Sequence, residues 1–171
     1  MHLALVGPMG AGKSTTGQLA ANALGLPFKD SDALVSLHEG STIAELFALH
    51  GEAYFRNVEE RIILDVLRGS CTVLATGGGA IMSAAVRHAL YQHTYCVYLQ
   101  VEVDEQLRRL GNEGGRPLAG NAAHMQHLQC SREPHYRAVA HAVVATNGRS
   151  VQEVAEEVVA CYRACCPALE A

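Results

Sequence analysis

The residues best suited to chemistry stand at the start of the chain. Gly7-Pro8-Met9-Gly10-Ala11-Gly12-Lys13-Ser14-Thr15 matches the pattern G-x-x-x-x-G-K-[ST]. Glycines suit such a loop because successive N–H groups must turn inward around an anion, in backbone conformations closed to other residues. A helix starting near Lys13 adds its unpaired N–H groups and the positive end of its dipole. Lys13 supplies a point charge for β- and γ-phosphates, and the Ser14 hydroxyl can ligate Mg²⁺. The apolar run Leu3–Val6 precedes the loop, and an alanine- and leucine-rich stretch follows it as far as Gly25. Strand, loop and helix together are the context in which the motif reads as a nucleoside triphosphate site and not as a bare glycine turn.

Other candidates lie further along. Asp30 and Asp32 follow a short run, Leu26–Lys29, that reads as a second strand. Carboxylates there can face a γ-phosphate: one could serve the metal, directly or through water, and the other could accept a hydrogen bond from a substrate hydroxyl. Either could instead be a helix cap. Arg56 sits on a helical stretch with Glu59 and Glu60 within reach, which taken alone reads as a surface ion pair. Arg132, before Glu133-Pro134, could equally be a solvated charge. Gly111, Gly114, Gly115 and Gly120 surround Arg116-Pro117, a polar segment that reads as a lid carrying one cation. His124, His127 and Cys130 share a helical spacing that could hold a metal, though an ordinary helix face is the plainer account.

These residues need a scaffold, and the hydrophobic pattern supplies one. Helices are expected over Lys13–Leu24, Ala33–His38, a stretch opened by the capping box Thr42-x-x-Glu45 and closed at His50-Gly51, and Glu52–Arg68. Cys71–Thr76 is a continuous apolar run, as in a strand buried on both faces, and it ends in Gly77-Gly78-Gly79. A helix over Ser83–Leu90, a strand over Tyr95–Leu99 and a helix over Asp104–Leu110 come next. Beyond the lid a helix begins near Ala122, is interrupted by Pro134 and resumes over His135–Val139. Ala142–Ala145 is a fifth strand, and Ser150-x-x-Glu153 caps the last helix. Strands alternating with helices predict an α/β fold with a parallel sheet, right-handed crossovers and helices on both faces. The phosphate loop, Asp30 to Asp32, the triple glycine and Arg149 then collect at the carboxyl ends of the strands.

The bulk composition limits the function classes. At 171 residues a single domain is expected, and 49% hydrophobic with 18% charged residues is globular composition. A net charge of −4, without a basic run, argues against a nucleic-acid partner. No apolar stretch is long enough to span a bilayer. Neither a signal nor a transit peptide is expected, because no basic segment precedes the first strand and Pro8 and Lys13 break any apolar region. The six cysteines contain no C-x-x-C pair and read as free, buried thiols in a reducing cytoplasm.

The phosphate loop, Asp30-Ser31-Asp32, Gly51-Glu52-x-x-Phe55-Arg56-x-x-Glu59, Gly77-Gly78-Gly79, Arg116-Pro117-Leu118 and Arg132-x-Pro134-x-Tyr136 together resemble the shikimate kinase family in order and spacing. The resemblance weakens only after about Ala160. It implies a three-layer P-loop kinase fold with a five-stranded parallel sheet of order 2-3-1-4-5 and a lid over about residues 111–123. A substrate-binding helical segment would cover about residues 31–60. The implied reaction moves the γ-phosphoryl of ATP to the 3-hydroxyl of shikimate. By resemblance, Asp32, Arg56, Gly77, Gly78, Gly79 and Arg132 would bind shikimate. Gly10, Ala11, Gly12, Lys13, Ser14, Thr15, Arg116 and Arg149 would bind ATP. Lys13, Asp32 and Arg116 would carry catalysis, and Ser14 and Asp30 would hold one Mg²⁺ per subunit. A cytoplasmic monomer is expected, with ATP and shikimate as its small-molecule partners.

Overall fold

A computed structural model describes residues 1–112 and 122–166. Five parallel strands, β1 (His2–Val6), β2 (Phe28–Asp30), β3 (Val73–Ala75), β4 (Thr94–Gln100) and β5 (Ala142–Ala145), form one sheet in the order β2-β3-β1-β4-β5. The expected order 2-3-1-4-5 is the observed one. Helices α1 (Lys13–Leu24), α2 (Ser31–Glu39), α3 (Ile43–Leu67), α4 (Ala84–His93), α5 (Val103–Asn112), α6 (Ala122–Val139) and α7 (Val151–Cys165) connect and cover it.

Alternation along the strands divides the core in two. Leu3, Leu5, Val73, Val97 and Leu99 face α1 and α7, packing with Ala20, Val158 and Tyr162. Ala4, Val6, Leu74, Cys96 and Tyr98 face the other side, with Ile63, Leu90 and Tyr136 from α3, α4 and α6. Burial on both faces explains why the central strands read as unbroken apolar runs. Among the described residues, no helix is long and apolar enough to cross a membrane.

Four details depart from the sequence pattern. The stretches before and after Gly51 form one helical run, α3, with a kink where Gly51 takes φ 78° and ψ 173°. That left-handed backbone suits glycine, so Gly51 turns the run without ending it. Pro134 does not interrupt α6, although its ring removes a helical hydrogen bond. Met125 before it and Tyr136 and Val139 after it are buried, so packing holds the helix through the proline. Strand β3 begins only at Val73, and Cys71 is exposed. The cysteines are mostly not buried: Cys96 is, whereas Cys71, Cys130 and Cys165 are exposed and Cys161 and Cys166 are intermediate. Cys161 and Cys166 still pack against the core cluster of α1 and α7, while Cys71, Cys130 and Cys165 lie at the surface.

Candidate active site

The loop after β1 folds tightly against the sheet. At Gly7, where φ is 147°, a side chain would strike the Leu99 carbonyl. Lys13 Nζ curls back to donate a hydrogen bond to Pro8 O at 2.8 Å. Burial pulls the Lys13 ammonium down to about 8; Asp32 and Asp30 oppose that fall, and Arg132 adds to it. The first residue after the lysine is already paired: Ser14 Oγ donates to Asp30 Oδ2 at 2.5 Å.

Asp30 is the cap of α2, its Oδ1 accepting from the N–H groups of Asp32 and Ala33. Cap and site residue therefore coincide, one oxygen serving the helix and the other facing Ser14. Capping starts α2 at Ser31 and sets Asp32 in its first turn, beside the phosphate loop. Asp32 Oδ1 is buried without a partner among the described residues. Burial and the neighbouring Asp30 raise the Asp32 carboxyl, while Lys13 and Arg56 draw it back.

Arg56 is not a surface pair. Its Nη1 donates to Glu59 Oε2 at 2.6 Å, and Glu59 is only 1% exposed. Burial raises the Glu59 carboxyl, opposed chiefly by Arg56. The Nε and Nη2 groups of Arg56 donate to Glu52 Oε1 at 3.3 and 3.2 Å. Glu52 is well exposed, so that second contact is weak and open to exchange for another carboxylate. The guanidinium also lies 5.0 Å above the Phe55 ring. It is held by a buried acid on one side and faces Gly79, where a Cβ would overlap it.

The triple glycine lies between these groups. A Cβ on Gly77 would overlap Glu59 Oε1 and Asp32 Oδ1, so the close approach demands glycine. Its N–H donates to Ser31 Oγ at 2.8 Å, which leaves it engaged within the protein and not turned to a ligand. Gly78 O accepts from the Tyr136 hydroxyl. Arg132, on α6, lines a cleft with Pro8, Met9, Gln106 and Tyr136. Its charge acts on both Lys13 and Glu59.

Arg149 belongs to a second region. A cavity of about 400 Å³ opens beside the phosphate loop, lined by Gly10, Gly12, Thr15, Arg108, Arg109 and Arg149 among others. Arg149 donates to Ala145 O, Glu153 O and Glu157 Oε2, which fixes it at the rim. Sequence reasoning misses Arg109. It donates to Gly10 O at 3.0 Å and Thr146 O at 2.7 Å, tying the phosphate loop to the end of β5. The sequence shows only its i,i+4 spacing from Glu105, a pattern common on solvated helices. Arg116 and most of the proposed lid lie outside the described residues.

The family model described as "Shikimate kinase" matches residues 9–163. The chain belongs to the shikimate kinase family. A shikimate kinase of Salinispora arenicola is 44% identical over 158 residues, which are 91% of this chain and 94% of that protein. One of Pseudomonas syringae pv. syringae is 42% identical over 162 residues, 93% of this chain and 94% of the other. The solved shikimate kinase of Acinetobacter baumannii, described in complex with shikimate, superposes with a TM-score of 0.87 at 38% identity. That match covers 92% of this chain and 90% of the other. Membership of the shikimate kinase family makes this chain an ATP-dependent phosphotransferase, with ATP as co-substrate.

In a kinase of this family the lowered Lys13 has a measurable consequence. Polyphosphate binding favours the ammonium form and so raises its pKa above the free value of about 8. ATP affinity is therefore expected to be level below about pH 8 and to fall above it, by up to about tenfold per pH unit, with one proton taken up on binding. Calorimetric titration at pH 7 and 9 in buffers of different ionisation heat checks this, and Lys13→Arg should flatten the profile. Equal affinity with no proton uptake at pH 9 would contradict it.

Proposed function

We propose that this chain transfers the γ-phosphoryl of ATP to the 3-hydroxyl of shikimate, giving shikimate 3-phosphate and ADP. The observation that carries this reading is that Asp32 and Arg56 close on the triple glycine beside the phosphate loop, with Arg132 near enough for its charge to act on both Lys13 and Glu59. Two guanidinium groups suit a carboxylate, and a carboxylate suits the hydroxyls of a small polyol. ATP would lie along Gly10–Thr15 with its base toward Arg149.

The oxygen pair of Ser14 and Asp30 fits Mg²⁺. It is an all-oxygen set of one hydroxyl and one carboxylate, which suits a small cation that keeps waters and takes phosphate oxygens as further ligands. Bound there, the ion would neutralise charge on the phosphates. Lys13 then exchanges Pro8 O for a phosphate oxygen. Asp32 accepts the proton of the attacking hydroxyl as the new O–P bond forms and the bond from γ-phosphorus to the ADP oxygen breaks. We read residues 31–60 as the shikimate-binding segment and 111–123 as a lid whose Arg116 steadies the transferring group. The enzyme is read as a cytoplasmic monomer.

A coupled assay of ADP release from Mg-ATP tests the acceptor, with shikimate, gluconate and nucleoside monophosphates compared. Turnover with shikimate alone is expected; turnover with another acceptor instead would remove the roles of Asp32, Arg56 and Arg132. Arg56→Lys should raise the KM for shikimate roughly 10- to 100-fold with a smaller change in kcat, because an ammonium cannot hold Glu59 and a carboxylate in one planar fork. An unchanged KM would leave Arg56 without a binding role.

A further inference from the structure

Tyr136 packs in the core and has no part in binding or catalysis above, yet it touches the substrate-binding loop. Its side chain is 1% exposed, and its hydroxyl donates to Gly78 O at 2.5 Å across 58 residues of sequence. Its ring stacks on Tyr98, with centroids 5.1 Å apart. Arg132 stands four residues earlier on α6, one turn away, and the two residues line the same cleft. A single buried phenol therefore joins the helix that carries Arg132 to the loop that carries Gly77, Gly78 and Gly79.

Peptide planarity makes this contact directional. The C=O of Gly78 and the N–H of Gly79 belong to one planar trans unit and point in opposite directions. Fixing that carbonyl toward Tyr136 aims the Gly79 N–H away from it. Gly79 also approaches the Arg56 guanidinium, so the peptide lies between Tyr136 and Arg56. Without a side chain at Gly78 or Gly79 this peptide rotates easily, and a hydrogen bond from a rigid, stacked ring is an effective restraint.

We propose that Tyr136 is a positioning residue for the acceptor: its hydroxyl sets the Gly78–Gly79 peptide so that the Gly79 N–H, Arg56 and Arg132 present one preformed site to the substrate carboxylate. This rests on the reading of shikimate as acceptor. Tyr136→Phe removes the hydroxyl and keeps the stacked ring, so the fold is retained. The expected result is a KM for shikimate raised on the order of tenfold, with kcat changed less than twofold and ATP affinity unchanged. Tyr98→Phe is the control, since the Tyr98 hydroxyl is buried without a partner among the described residues; its KM should match the parent.

A lowered melting temperature with KM within twofold of the parent would make Tyr136 a packing residue and overturn the proposal. A loss confined to kcat, or an equal rise in KM for both variants, would overturn it too. Should the parent enzyme not turn over shikimate at all, it is the acceptor reading that fails; turnover by the parent with an unaffected Tyr136→Phe removes the positioning role alone.

Discussion

Asp32→Asn is expected to lower kcat with shikimate by about 10³-fold, within the range that general-base groups contribute. The amide keeps the shape of the side chain and a hydrogen-bonding oxygen, so shikimate should still bind, but it cannot take the hydroxyl proton. Asp32 also supports Lys13, whose ammonium it raises against burial. Losing that charge lets Lys13 fall below about 8, so ATP affinity must be compared near pH 6.5, where the lysine stays charged. There the ATP dissociation constant should be close to that of the parent. The pH profile gives a second readout. Burial and Asp30 raise the Asp32 carboxyl, so the parent should lose activity on the acid side at a higher pH than an ordinary aspartate would dictate. Protonation disables the base, hence activity falls as pH falls, and this limb should vanish in Asp32→Asn. Similar losses in kcat and ATP affinity at pH 6.5 would show that Asp32 organises the site without acting as its base.

Much of this was legible in residue types and spacing. The phosphate loop, the cap at Asp30 and the capping boxes at Thr42 and Ser150 follow from local rules, because loop and helix there are set by contiguous residues, whereas the sheet order is a matter of distant pairings and was legible only through the family resemblance. What escaped depends on distant contacts. Arg56 and Glu59 look like any i,i+3 pair until Gly77 of a separate strand end covers the glutamate. Arg109 shows its role only when β5 brings Thr146 beside it. Pro134 is a breaker by local chemistry, overruled by the burial of Tyr136 and Val139. The Gly77 N–H is claimed by Ser31 across 46 residues of sequence, a contact no local pattern announces.

That close approach makes Gly77→Ala a damaging substitution for the site. The added carbon would overlap both Glu59 Oε1 and Asp32 Oδ1. Both oxygens are buried in held groups: Glu59 is tied to Arg56 through its other oxygen, and the Asp32 backbone N–H is bonded to the Asp30 cap. Rotating Glu59 away breaks a buried ion pair, a change that costs about 3 kcal/mol or more when one partner is lost. A stability loss of about 3 kcal/mol by urea denaturation is therefore expected. In the fraction that folds, kcat/KM for shikimate should fall more than about 100-fold, since both Arg56 and Asp32 are displaced. ATP binding should survive, because the phosphate loop keeps its own contacts. Gly78→Ala is the comparison: its added carbon finds nothing closer than 3.4 Å, so its stability cost should stay near about 1 kcal/mol. The two variants differ by one position in a run of identical residues, and only the structure ranks them. Equal stability for both would mean that Glu59 has room to move, and the rigid coupling of Arg56, Glu59 and Asp32 through Gly77 would then have to be abandoned.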